Sequence, residues 1–98
     1  MSSDKLHKAN DDSLEKSFGK VIQQLRRQLK LSQEELGFRS GYHRTYISQI
    51  ERGIKSPSLK TIFNLAKVLD IKPSDLINRV QLMSHKGQIE EYHEDYPH

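Results

Sequence analysis

Three features of this 98-residue sequence predict an all-α fold of five helices. Apolar residues recur at steps of three and four, the period of one helix face. Nowhere do apolar and polar residues alternate as in a strand, and there is no Asn-Gly or Asp-Gly hairpin turn. Serine, glycine and proline stand where helices begin and stop.

The first helix follows from Leu14, Phe18, Val21, Ile22, Leu25 and Leu29, one stripe of an amphipathic helix, with Ser13 as its N-cap. Residues 1–12 are polar and without period, and read as a flexible N-terminal arm. The second helix opens at Ser32-Gln33-Glu34-Glu35, a capping box, and stops at Ser40-Gly41. Tyr42 alone separates that stop from His43, where the third helix starts, so the two helices must cross steeply. The third ends at Gly53. Ser58 caps a fourth along Leu59, Ile62, Phe63, Ala66 and Leu69, and Pro73 suits the first position of a fifth carrying Leu76, Ile77, Val80 and Met83. Residues 84–98 form an acidic tail or a short extra helix, with Ile89, Tyr92 and Tyr96 at helical intervals.

Composition narrows the function. A mean hydropathy of −0.80 and no run near ~18 apolar residues argue against a membrane span, no secretory signal is visible, and a cytoplasmic protein is expected. With no cysteine there are no disulfides or thiolate metal sites. The net charge of +3 hides an asymmetry: residues 13–83 hold 13 basic and 6 acidic side chains, a net of +7, while both ends are acidic. A basic middle of that strength points to a polyanion partner.

The third helix carries the sharpest signal. At about 100° per residue, Arg44, Thr45, Ser48, Gln49 and Arg52 fall within an arc of roughly 140°. Tyr46, Ile47 and Ile50 take the other side, with Glu51 at the border. An ordinary solvated face mixes both charge signs; this one has no acid. Two helices joined by a tight glycine turn, the second polar outward, form a helix-turn-helix unit.

Residues from about 21 to 77 resemble the DNA-binding domain of the Cro/cI-type (XRE family) repressors. The marks are LSQEEL at 31–36, SG at 40–41, ISQIERG at 47–53 and PSLKTIFNLAKVLDIKPSDL at 57–76. HRTYIS at 43–48 is most similar to the controller proteins of bacterial restriction–modification systems. The resemblance implies a lambda-repressor-like domain, a transcriptional regulator and no enzyme. It implies base contacts from Arg44, Thr45, Ser48 and Gln49, chemically suited to guanine, thymine methyl and adenine edges. Phosphate contacts are expected from Gln33, Tyr46, Arg52, Lys55, Ser58 and Lys60. Glu51 is expected to pair with Arg26 of the first helix. Gly37 supplies the small residue needed where the two helices cross, and it replaces the family's usual alanine at a propensity cost near ~1 kcal/mol. Tyr42 replaces an aliphatic residue, and its hydroxyl needs a partner.

Duller roles stand beside some of these. Arg52 suits the carbonyl end of its helix equally well, and Lys60 suits plain solvation. A homodimer on palindromic double-stranded DNA is expected, with Leu76, Ile77, Val80 and Met83 either forming its seam or closing the monomer core. RNA polymerase contact is a further partner reading, and an antitoxin-type protein-binding module is the alternative function. No cofactor is expected. Glu90, His93 and Glu94 have ligand spacing but fall short of the four donors of a closed site, so no metal is expected either. No phosphate loop, nucleophile elbow or carboxylate pair suggests catalysis.

Overall fold

The computed structural model describes residues 13–84, and within them the chain is five helices without a strand. They are α1 (Leu14–Gln28), α2 (Gln33–Ser40), α3 (Arg44–Glu51), α4 (Leu59–Val68) and α5 (Pro73–Ser84). The N-terminal arm and the tail with Ile89, Tyr92, Tyr96 and the Glu90–His93–Glu94 group lie outside the described residues. None of the helices described is long and apolar enough to cross a membrane.

Each helix starts where its cap predicts. Ser13, Ser32 and Ser58 sit in extended backbone, and each accepts a bond from the N–H three residues on. At Ser32 the box is reciprocal: the Glu35 N–H donates to the Ser32 hydroxyl at 2.9 Å, and the Ser32 N–H donates to Glu35 Oε1 at 2.9 Å. That second bond holds the exposed Glu35 carboxyl below the ordinary glutamate range.

The stops share one geometry, only half of it visible in the sequence. Four N–H groups reach back five residues: Leu31 to Arg26, Tyr42 to Gly37, Ile54 to Gln49 and Ile71 to Ala66. These are Schellman closures, which place one residue in the left-handed region. Gly41 takes that place with φ +87, as expected. After α1 and α4 it falls to Lys30 (φ 60) and Asp70 (φ 58), residues that pay a steric penalty there. The apolar residues that follow, Leu31 and Ile71, fold back onto the domain.

The core gathers Phe18, Val21, Ile22 and Leu25 of α1, Leu36, Ile47, Ile50, Leu65, Ala66 and Leu69, then Leu76 and Val80 of α5. Two glycines let backbones meet across it. At Gly37 a Cβ would lie 2.5 Å from the Tyr42 carbonyl oxygen. The small residue expected at this crossing is therefore demanded by the turn itself. At Gly19 a Cβ would strike the Ile50 and Glu51 carbonyl oxygens, so α1 rests directly on the C-terminal end of α3.

The apolar stripes needed correction at their edges. Leu14, Leu29, Leu59 and Phe63 match the helical period yet are exposed, so the core covers only part of each stripe. Leu76 and Val80 belong to the protomer core at 0% and 3% exposure, so neither can form a dimer seam. Ile77 is 44% exposed and Met83 packs half-buried against the core.

Candidate nucleic-acid interface

Helix α3 is too short to persist alone, since isolated helices under about 12 residues are marginal in water. Packing and end bonds hold it. Ile47 and Ile50 are fully buried and pin one side. The other side presents exposed Arg44 and Thr45, and half-buried Ser48 and Gln49 one turn on. Its first turn contains no acid, although a helix N-terminus is where acids are ordinarily favoured. Among the described residues, the side chains of Arg44, Thr45 and Gln49 make no intramolecular hydrogen bond or ion pair.

At the opposite end a buried polar hub sets the tilt of α3. Arg26 of α1 grips Glu51 with two parallel bonds, Nε to Oε2 at 2.6 Å and Nη2 to Oε1 at 3.0 Å. Its Nη1 donates to the Leu31 carbonyl at 2.8 Å. The pair predicted by resemblance is therefore present, with the Glu51 side chain only 1% exposed. The bonds to Glu51 raise the Arg26 pKa above the arginine norm, against the opposing effect of burial. Gln33 Nε2 also donates to Glu51 Oε1 at 2.9 Å, and Gln23 Nε2 approaches the same oxygen at 3.5 Å. Gln33 thus stands at the N-terminus of α2 as expected, but one amide proton is committed to Glu51. The other proton and the Gln33 and Glu34 N–H groups remain for an anion, the Glu35 N–H being taken by Ser32.

A second hub joins α3 to α4. The buried Thr61 hydroxyl is 3.1 Å from the Tyr42 hydroxyl, 3.3 Å from that of Tyr46 and 3.0 Å from that of Ser58. Asn64 Nδ2 donates to the Tyr42 oxygen at 2.9 Å, and the tyrosine rings lie 5.0 Å apart. The Tyr42 hydroxyl thereby finds its partner. Thr61 can donate one proton and accept two. It accepts from Tyr42, so of Tyr46 and Ser58 one receives its proton and the other donates to it. Only the one that receives keeps its own hydroxyl proton for an outside acceptor.

Arg52 folds back so that Nε is 3.4 Å from the Ser48 carbonyl, the helix-end role foreseen for it, while remaining exposed. Lys55 and Lys60 are exposed on either side of Ser58. Sequence reasoning missed Thr61, although a polar residue in register with buried Leu65 and three places after a capping serine was a usable signal. It also left the cap chemistry of His43 unread. The His43 imidazole Nδ1 accepts from the Thr45 N–H at 3.0 Å.

Comparison with known proteins places this geometry. Residues 22–76 match the helix-turn-helix family. The control protein C.BamHI of Bacillus amyloliquefaciens is 44% identical over 62 residues, covering 62% of this chain and 76% of that protein. The control protein C.SmaI of Serratia marcescens is 42% identical over 57 residues, covering 58% and 68%. The crystal structure of the restriction-modification controller protein C.AhdI from Aeromonas hydrophila superposes with a TM-score of 0.61 at 44% identity, covering 62% of this chain and 92% of that one. The chain belongs to the XRE-type helix-turn-helix family of DNA-binding transcriptional regulators and, within it, is similar to the controller proteins of restriction–modification systems.

Proposed function

We propose that the protein works as a homodimer on a palindromic or near-palindromic operator, each copy laying the outward edge of α3 in the major groove. The observation that carries this reading is the two-sidedness of α3: one side is sealed into the core, and the other is acid-free, with the Arg44, Thr45 and Gln49 side chains bonded to no other described residue. Arg44 and Thr45 meet base edges first, since the N-terminal end of a recognition helix enters deepest. Arginine fits the O6 and N7 of guanine, the threonine methyl fits that of thymine, and Gln49 one turn on fits adenine N6 and N7; Ser48 lies between them. Gln33, Arg52, Lys55 and Lys60 hold the flanking phosphates, joined by whichever of Tyr46 and Ser58 keeps its hydroxyl proton.

Two copies are needed because one such domain reads few base pairs. Their seam is drawn from the apolar surface of α4 and α5 that water still reaches, which includes Leu59, Phe63, Ile77, Leu82 and Met83. A nearby cleft of about 330 Å³, lined by Leu14, Phe18, Pro57, Ile62, Ile77 and Val80, extends that surface. Likeness to the control proteins supports control of a restriction–modification system, with RNA polymerase blocked or recruited according to where the operator lies.

Selection of bound sequences from a random DNA pool tests the reading. The expected result is one preferred sequence with two-fold symmetry and half-sites about one helical turn, ~34 Å, apart. Binding to it should weaken steeply with salt as counterions are released. A pool that returns no preferred sequence would refute the proposal, and an unpaired half-site bound by a monomer would refute the dimer.

A further inference from the structure

Helix N-caps are ordinarily Ser, Thr, Asp or Asn, short side chains whose oxygen reaches a free N–H. Three of the helices here follow that rule, and α3 departs from it with His43. The difference is chemical. A capping serine keeps its hydroxyl proton close to the backbone, whereas an imidazole carries a second nitrogen on the far side of its ring. Because the Thr45 N–H can only donate, Nδ1 must carry the lone pair, and the proton of the neutral ring must sit on Nε2. The capping bond therefore fixes the tautomer and the ring orientation together. His43 is exposed, and no bond from Nε2 to another described residue is present. A single N–H donor of fixed character is thus held outward beside Arg44.

We propose that His43 is a specificity-determining residue, donating Nε2–H to an acceptor on a base edge next to the base read by Arg44. This rests on the reading of α3 as the major-groove helix. A locked donor selects purine N7, guanine O6 or thymine O4, and rejects the amino groups of adenine and cytosine. The same N–H would also satisfy a phosphate oxygen, and the test separates the two.

The variants are His43→Ser and His43→Asn, each able to cap α3 but too short to replace the outward donor. Both, with the wild type, enter random-pool selection below their thermal midpoints, and affinities are then measured on the wild-type site. The expected result is a preference relaxed at one position per half-site, the others unchanged, with binding to the wild-type site weakened roughly three- to tenfold. Unchanged preference at every position would overturn the proposal. Equal weakening on all sequences would also overturn it, since His43 would then contact phosphate. If the wild type itself selects no sequence, the failure lies with the major-groove reading and takes this proposal with it.

Discussion

Replacing Arg26 with methionine removes the positive partner of a carboxylate that is 1% exposed, and keeps most of the unbranched apolar stem. Glu51 is then left with one amide at 2.9 Å and another at 3.5 Å, and the Leu31 carbonyl loses its donor. Breaking one side of a buried ion pair costs about 3–5 kcal/mol. Against the roughly 4–11 kcal/mol expected for a domain of this size, that is about a quarter of the stability or more. Glu51→Leu should cost a similar amount by stranding the guanidinium. The double variant should not cost the sum, because it strands neither charge, and replacing such pairs with apolar groups is often neutral or stabilising. Urea unfolding at 25 °C, read at constant m-value, gives all three differences. If the double variant costs no more than either single one, the cycle shows a favourable coupling of about 3 kcal/mol or more between the substitutions. Single variants each costing under ~1 kcal/mol, with an additive cycle, would show that the pair behaves as a surface ion pair and does not fix α3.

Lys30 holds the left-handed place in the first Schellman closure, so Lys30→Gly should stabilise by about 0.5–1 kcal/mol. On a domain of this size that is a rise of a few degrees in Tm by calorimetry, and a fall would contradict the closure. Glu35, its pKa depressed by the Ser32 N–H, contributes stability that is complete above the ordinary carboxylate range. That contribution should fade as acid carries the pH down through its folded value, giving Glu35→Ala a flatter stability profile there; parallel profiles would exclude the effect. Arg44→Ala should cost ~1–3 kcal/mol in binding and relax one position per half-site, while Lys55→Ala should weaken all sequences alike and flatten the salt slope. Identical behaviour in quantitative binding assays would abolish the division between base and phosphate contacts.

Signals of one or two turns were legible in the sequence. The capping box at Ser32–Glu35, the Ser40-Gly41 stop and Pro73 each act on their own backbone, and each falls where it was expected. The face of α3 was legible too, since Ile47 and Ile50 need only the helical period to be placed inward. Contacts made across the chain were not. The period gives the direction of a stripe but not how far a neighbouring helix covers it, so Leu59 and Phe63 looked like core and Leu76 and Val80 like surplus. Gly19 reads as a weak helix residue until the carbonyls of α3 are seen against it. The bond from Gln33 to Glu51, and the sharing of Thr61 among three hydroxyls, depend on distances that spacing does not encode.

Because Arg44, Thr45 and Gln49 take no part in holding α3 together, they can be exchanged without disturbing the residues that do. If these three side chains read bases as proposed, a lineage carrying this scaffold is free to adopt new operators by changing a few letters while its foundations stay still. Such a protein can drift away from the target of its relatives yet keep their shape, which makes its architecture a poor guide to the genes it governs.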